Sequence, residues 1–175
     1  GLLGDSDSAL LAQQAAATIR ERLAALDPTN MQWQRDLSVS YERLGDLYFA
    51  QNDFVAALGQ QELARAIRDG IVSLEPQILP RQRDLGVTLE KIAALKLAMG
   101  DQTGSEAAYV EVQALRQSLV TADPTVAQYR LDLAYTLGEV ANLFVGQGRY
   151  AEAEPLQAQA VLLRTDLLGA APDDL

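Results

Sequence analysis

Three aspartates, Asp36, Asp84 and Asp132, stand at a constant interval of 48 residues, each followed by a leucine at Leu37, Leu85 and Leu133. A set of carboxylates suggests acid–base chemistry, but paired-carboxylate catalysis needs the two groups roughly 5–9.5 Å apart. One aspartate per repeating unit predicts separations of about 10 Å or more across packed helices. A structural role is the better expectation. Four arginines keep the same step, Arg20, Arg68, Arg116 and Arg164, and so do Pro28, Pro76, Pro124 and Pro172. Arg20 and Asp36 lie equally far from Pro28 on either side, so they are expected at similar height on neighbouring antiparallel helices. The same symmetry holds for Arg68 with Asp84 and for Arg116 with Asp132. Three ion pairs are predicted from it, with Arg164 left free for want of a successor.

Other chemistry is poorly supplied. The 175 residues contain no Cys and no His, which excludes disulfides, thiol nucleophiles, zinc sites of the usual ligand sets, and Ser-His or Cys-His catalysis. "DSDS" at 5–8 lacks the downstream Gly and Glu of a calcium loop and reads as a helix N-cap through Ser6 or Ser8. "GDQTG" at 100–104 lacks the Lys-Ser/Thr of a phosphate loop. Glu152 and Glu154 suit the positive end of a helix. No catalytic residue, metal ligand or cofactor is expected, and the chain is not read as an enzyme.

The formal net charge of -10 argues against a nucleic-acid partner, which draws affinity from clustered Lys and Arg. It argues equally against docking on an anionic membrane. No apolar run reaches the ~20 residues of a membrane span, and "GLLGDSDSALLAQQ" lacks the basic opening of a signal peptide. Lack of Cys fits a reducing compartment, so the cytoplasm is the expected location. A start at Gly1 rather than Met reads as a processed chain or a piece of a longer array.

The elements that must position these columns are helices. Ala, Leu, Gln, Glu and Arg dominate, and alternating β-branched runs are absent. Trp33, Leu37, Tyr41, Leu44 and Tyr48 form one apolar stripe at spacings of three and four, which places Trp33 in or at the edge of the core rather than against a ligand. A first helix is expected from about Thr29 to Gln51 and a second from about Phe54 to Ser73. Asn52, Gly100 and Gly148 suit a left-handed residue just past a helix end. Proline then stops each second helix and opens the next.

"LGDLYFAQNDFVAALGQQELARA" resembles the tetratricopeptide repeat, through Leu44-Gly45, Tyr48, Asn52, Ala57 and Ala64. The third unit matches at Val140-Ala141, Phe144, Gly148, Ala153 and Ala160, and its "GRYAEAEPLQAQAVLLRTDLLG" is similar to the kinesin-light-chain style of repeat. The second unit fits at Ile92-Ala93 and Gly100 but has Lys96 for the aromatic and Ser105 for the small Ala. The usual unit is ~34 residues; the excess divides into about two helical turns in each helix, which lengthens a helix without rotating its buried face.

The resemblance implies an all-α, right-handed solenoid of stacked antiparallel helix pairs, about seven helices in all. The expected divisions are 1–27 (an unpaired second helix, about Asp7–Leu26), 28–75, 76–123, 124–171 and 172–175. It implies a protein-interaction scaffold that binds a protein or peptide on the concave face of the first helices. Arg35, Val39, Glu42 and Asp46 lie on that face, followed by Arg83, Val87 and Glu90, then Leu131, Tyr135 and Asn142. Arg35 and Arg83 would offer forked donors to a partner, and Tyr135 beside Gly138 an aromatic anchor. The rival readings are a structural or self-assembling segment, associating with other copies through its repeat ends, and a regulatory arm of a multidomain enzyme or signalling protein.

Overall fold

The computed structural model describes residues 2–169, with side chains from residue 8 onward, and every regular element among them is a helix. Seven follow one another: α1 Leu2–Leu26, α2 Met31–Ala50, α3 Phe54–Leu74, α4 Leu79–Ala98, α5 Gln102–Ala122, α6 Ala127–Gly146 and α7 Tyr150–Gly169. Each packs chiefly on its neighbours in the chain, so α2/α3, α4/α5 and α6/α7 form a series of antiparallel pairs led by α1. Among the described residues no helix is long and apolar enough to cross a membrane.

The turn column behaves as its residue types require. Asn52, Gly100 and Gly148 have φ of 61°, 82° and 74°, a region that costs most L-residues energy through Cβ clashes. That geometry folds the chain back so that the next N–H reaches a carbonyl of the last helical turn. Asp53 N donates to Tyr48 O at 2.9 Å, Asp101 N to Lys96 O at 2.9 Å, and Arg149 N to Phe144 O at 2.8 Å. Asp53 and Asp101 then cap the following helices, accepting from Ala56 N at 3.0 Å and Gly104 N at 2.8 Å.

The other turns differ in detail from expectation. Pro28, Pro76 and Pro124 sit in the connections, not at the first helical position, and α2 is capped instead by Asn30, whose side chain accepts from Trp33 N at 3.1 Å. Helix α1 runs back to Leu2, so the stretch at 5–8 lies inside a helix and is no N-cap, and Gly4 is no turn despite standing in the Asn52 column. Nothing in that stretch lacks an amide hydrogen or stiffens the backbone as proline does, so the helical bonding simply continues.

The stripe of α2 buries Leu37 and Leu44 and half-buries Trp33, Tyr41 and Tyr48, which puts Trp33 at the edge of the core. One cluster joins Ala93, Ala108, Tyr109, Val140 and Leu143 across α4, α5 and α6. A second joins Leu133, Ala134 and Leu137 to Ala160 of α7, and a third joins Leu85 and Leu89 to Val112. Each large apolar side chain fully buried this way contributes about 1.5–3 kcal/mol. The small residues of the repeat, Ala57, Ala64, Ala153 and Ala160, are buried where helices approach closely.

Candidate functional site

The arginine column enters the space between consecutive pairs. Arg68 of α3 and Arg116 of α5 are buried, 5% and 4% exposed. Neither meets the aspartate carboxylate predicted for it. Arg68 Nη1 donates to the main-chain carbonyl of Asp84 at 2.8 Å, and Arg116 Nη1 to that of Asp132 at 2.8 Å. The same guanidiniums bond the hydroxyls of Thr88 and Thr136 and the carboxylates of Glu42 and Glu90. Arg20 likewise reaches Ser40 Oγ, while Asp36 accepts from Gln32 at 2.8 Å. A buried guanidinium has five N–H donors to satisfy, and a carbonyl, a hydroxyl and a carboxylate from two helices do so better than one aspartate. Ser40, Thr88 and Thr136 in turn donate to the carbonyls of Asp36, Asp84 and Asp132 at 3.2, 3.4 and 3.2 Å. Arg164, expected to be free, is exposed and makes one long hydrogen bond to Ala134 O at 3.5 Å.

The aspartate carboxylates serve the first-helix face instead. Arg35 of α2 pairs with Asp84 of α4 at 3.1 Å, and Arg83 of α4 with Asp132 of α6 at 2.6 Å. These two arginines were expected to offer their forks to a partner; the aspartate of the next first helix occupies them. Asp132 also holds the Arg83 guanidinium charged more firmly than usual, by its hydrogen bond first of all.

Lys91 completes a second link between α2 and α4, with Nζ 2.8 Å from Glu42 and 2.7 Å from Asp46. Glu42 therefore has two cations. Its burial acts to raise the pKa, but the hydrogen bonds and charges of Lys91 and Arg68 together prevail and hold it below the ordinary glutamate range. Glu90 occupies the same place one unit later and behaves oppositely. Burial pushes its pKa up, Arg116 offsets this only in part, and the charges of Asp132 and Glu139 add to the rise. The cause is one column: Arg43, Lys91 and Glu139 share a position, so the third unit puts an acid where the second puts its lysine.

A cleft of about 250 Å³ opens on this face, between α2, α4 and α6. Its walls include Phe49, Glu90, Lys91, Tyr135 and Glu139, with Gln61 and Tyr109 of the second helices beneath. Gly45 admits the Gln61 side chain; a Cβ there would stand 2.5 Å from Gln61 Nε2. That nitrogen donates to Glu42 O at 3.2 Å, whereas Gln61 Oε1 is buried without a partner. An adjoining groove is lined by Val87, Leu131 and Tyr135. Leu131 and Tyr135 are 43% and 49% exposed, Asn142 is exposed, and Val39 and Val87 are half-buried.

A family model described as a tetratricopeptide repeat matches residues 133–174. The chain carries a tetratricopeptide repeat. Its 48-residue columns extend the same helix-pair pattern back through the two preceding units. Among solved structures, the chain is similar to MamA (14% identity, TM-score 0.47, covering 96% of this chain and 94% of that one). It is also similar to BtubC (BKLC) from P. vanneervenii, at 13% identity and a TM-score of 0.29, covering 97% of this chain and 95% of that one. A search of curated proteins found no match.

Lys91, Gln61 and the hydroxyl column are not among the residues expected from the sequence. Ser40, Thr88 and Thr136 keep the 48-residue step as faithfully as the arginines, so the signal for them was present. Gln61 keeps the step as well, with Gln13 and Gln157 in its column and Tyr109 as the exception.

Proposed function

We propose that the chain is a protein-interaction scaffold whose first-helix face receives a peptide or protein. Tetratricopeptide repeats generally mediate protein–protein interaction, and the reading assigns no reaction to these residues. One observation carries it: Phe49, Leu131 and Tyr135 are large, exposed and gathered along the cleft and groove of that face. Binding sites combine such apolar walls with a few placed polar groups. Of the face residues, Val87, Leu131, Tyr135 and Asn142 are assigned to contact. Arg35, Arg83, Glu42 and Asp46 act by holding neighbouring first helices in register.

The test uses Leu131→Ala with Tyr135→Ala, because neither side chain is buried. Far-ultraviolet circular dichroism and melting should stay near wild type. Calorimetry with a purified partner should show a loss of ~1 kcal/mol or more per anchor. Unchanged affinity in the double variant would move the interface off this face.

A second reading has its own observation. Val72 and Val120 each pack on the core of the following pair, whereas Leu168, at the same place in α7, is 78% exposed. That surface suits another helix pair, and repeats of separate copies could stack through it. Light scattering over a concentration series distinguishes this: a mass that grows with concentration, and reverts in Leu168→Glu, supports stacking.

A further inference from the structure

The polar side chains of the cleft do not balance. Lys91 is neutralised by Glu42 and Asp46, and Arg116 is engaged by Glu90. Glu139 remains, half-buried and with no hydrogen bond or ion pair among the described residues. Beneath the same cleft Gln61, only 1% exposed, keeps Oε1 without a donor. Two acceptors on one cleft therefore lack donors, and Glu90 shares its single guanidinium with a carbonyl and a hydroxyl. Between α2 and α4 the corresponding need is met internally by Lys91. Between α4 and α6 the column supplies Glu139, and among the described residues no cation takes the lysine's place.

We infer that this cleft takes a cationic side chain, an ammonium or guanidinium, from the partner peptide, seated against Glu139 and Glu90. The inference rests on the reading of the first-helix face as a binding surface and names the chemistry recognised there. A long basic side chain brings only donors, which is what unpaired acceptors require. Phe49 and Tyr135 are exposed aromatics lining the same cleft, and aromatic side chains can attract cations. A volume of about 250 Å³ is smaller than most small-molecule pockets, which run ~300–1,000 Å³, and fits one side chain. The chain's net charge of -10 favours approach of a basic segment.

The experiment titrates the full isotope-labelled chain with the peptide Ac-Ala-Leu-Arg-Leu-Ala-amide and with its citrulline counterpart, which keeps the shape and loses the charge. Backbone amide shifts should concentrate at residues 90–95 and 135–139, with the arginine peptide binding at least fivefold more tightly. Glu139→Lys supplies the missing cation internally; it should remove that preference while keeping the wild-type circular dichroism spectrum. Equal affinity of the two peptides at the cleft overturns the cation inference and leaves the binding face in place. Shifts elsewhere, or no binding of either peptide, also overturn it, and the Leu131/Tyr135 double variant then decides the wider reading separately.

Discussion

Arg116 of α5 donates to the main-chain carbonyl of Asp132 on α6 at 2.8 Å, and leaves that residue's carboxylate to Arg83 of α4. One aspartate thus joins three helices, its side chain tying α6 to α4 and its backbone tying α6 to α5. Arg68 and Arg35 make the same division at Asp84. The link between pairs is therefore partly independent of the aspartate side chain.

That independence can be measured. Arg116→Lys should cost about 2 kcal/mol or more in urea denaturation, since an ammonium cannot reach the carbonyl, Thr136 and Glu90 at once in the planar geometry of the guanidinium. Asp132→Asn removes only the partly exposed pair with Arg83 and should cost about 1 kcal/mol or less. Equal damage from the two would mean that the carboxylate, and not the carbonyl, anchors α5 to α6.

Glu42 and Glu90 should respond to pH with opposite signs. The folded pKa of Glu42 is lowered by Lys91 and Arg68 acting against its burial. Its contribution is present above the unfolded value and lost as pH falls through the folded one. The folded pKa of Glu90 is raised by burial, with Asp132 and Glu139 adding to it against Arg116. Its contribution is present at low pH and lost as pH rises through the folded value. At pH 7, Glu42→Gln should cost about 1–3 kcal/mol, while Glu90→Gln should leave stability unchanged or improve it. Both differences should shrink in acid, where the wild-type carboxyls are protonated. A larger loss for Glu90→Gln than for Glu42→Gln at pH 7 would contradict this assignment.

Ser105 is fully buried and its hydroxyl has no partner among the described residues. Its column-mates are Ala57 and Ala153. Ser105→Ala should raise stability by about 1 kcal/mol, because the folded chain no longer strips water from an unsatisfied hydroxyl. A lower melting temperature would show that the hydroxyl has an acceptor in solution.

Gly100 has φ of 82° with nothing near the place a Cβ would take. Gly100→Ala should therefore cost about 1–2 kcal/mol through backbone conformation alone. Asn52 already carries a side chain at φ 61°, so Asn52→Gly should change stability by only a few tenths of a kcal/mol. Thermal melts of the two variants give the comparison directly.

The helices and their ends were legible in the sequence because local chemistry sets them. Asn52, Gly100 and Gly148 tolerate a left-handed turn, proline interrupts helical bonding, and the stripe from Trp33 to Tyr48 keeps a helical period. A repeat of 48 residues then fixes which helices become neighbours, and it sets Arg116 near Asp132, whose main-chain carbonyl the arginine reaches. It could not say which atom of Asp132 the arginine meets. Column arithmetic locates residues along helix axes, whereas the choice between carboxylate and carbonyl depends on how each side chain leaves its helix and on which other acceptors lie within reach. Arg35 and Arg83 show the same limit. Both were expected to face a partner, yet the stacking of α2, α4 and α6 brings Asp84 and Asp132 close enough to occupy them. The substitution of Glu139 for the lysine of its column was in the sequence throughout. Its meaning depended on the tertiary structure, because an unpaired charge is defined by what surrounds it in space.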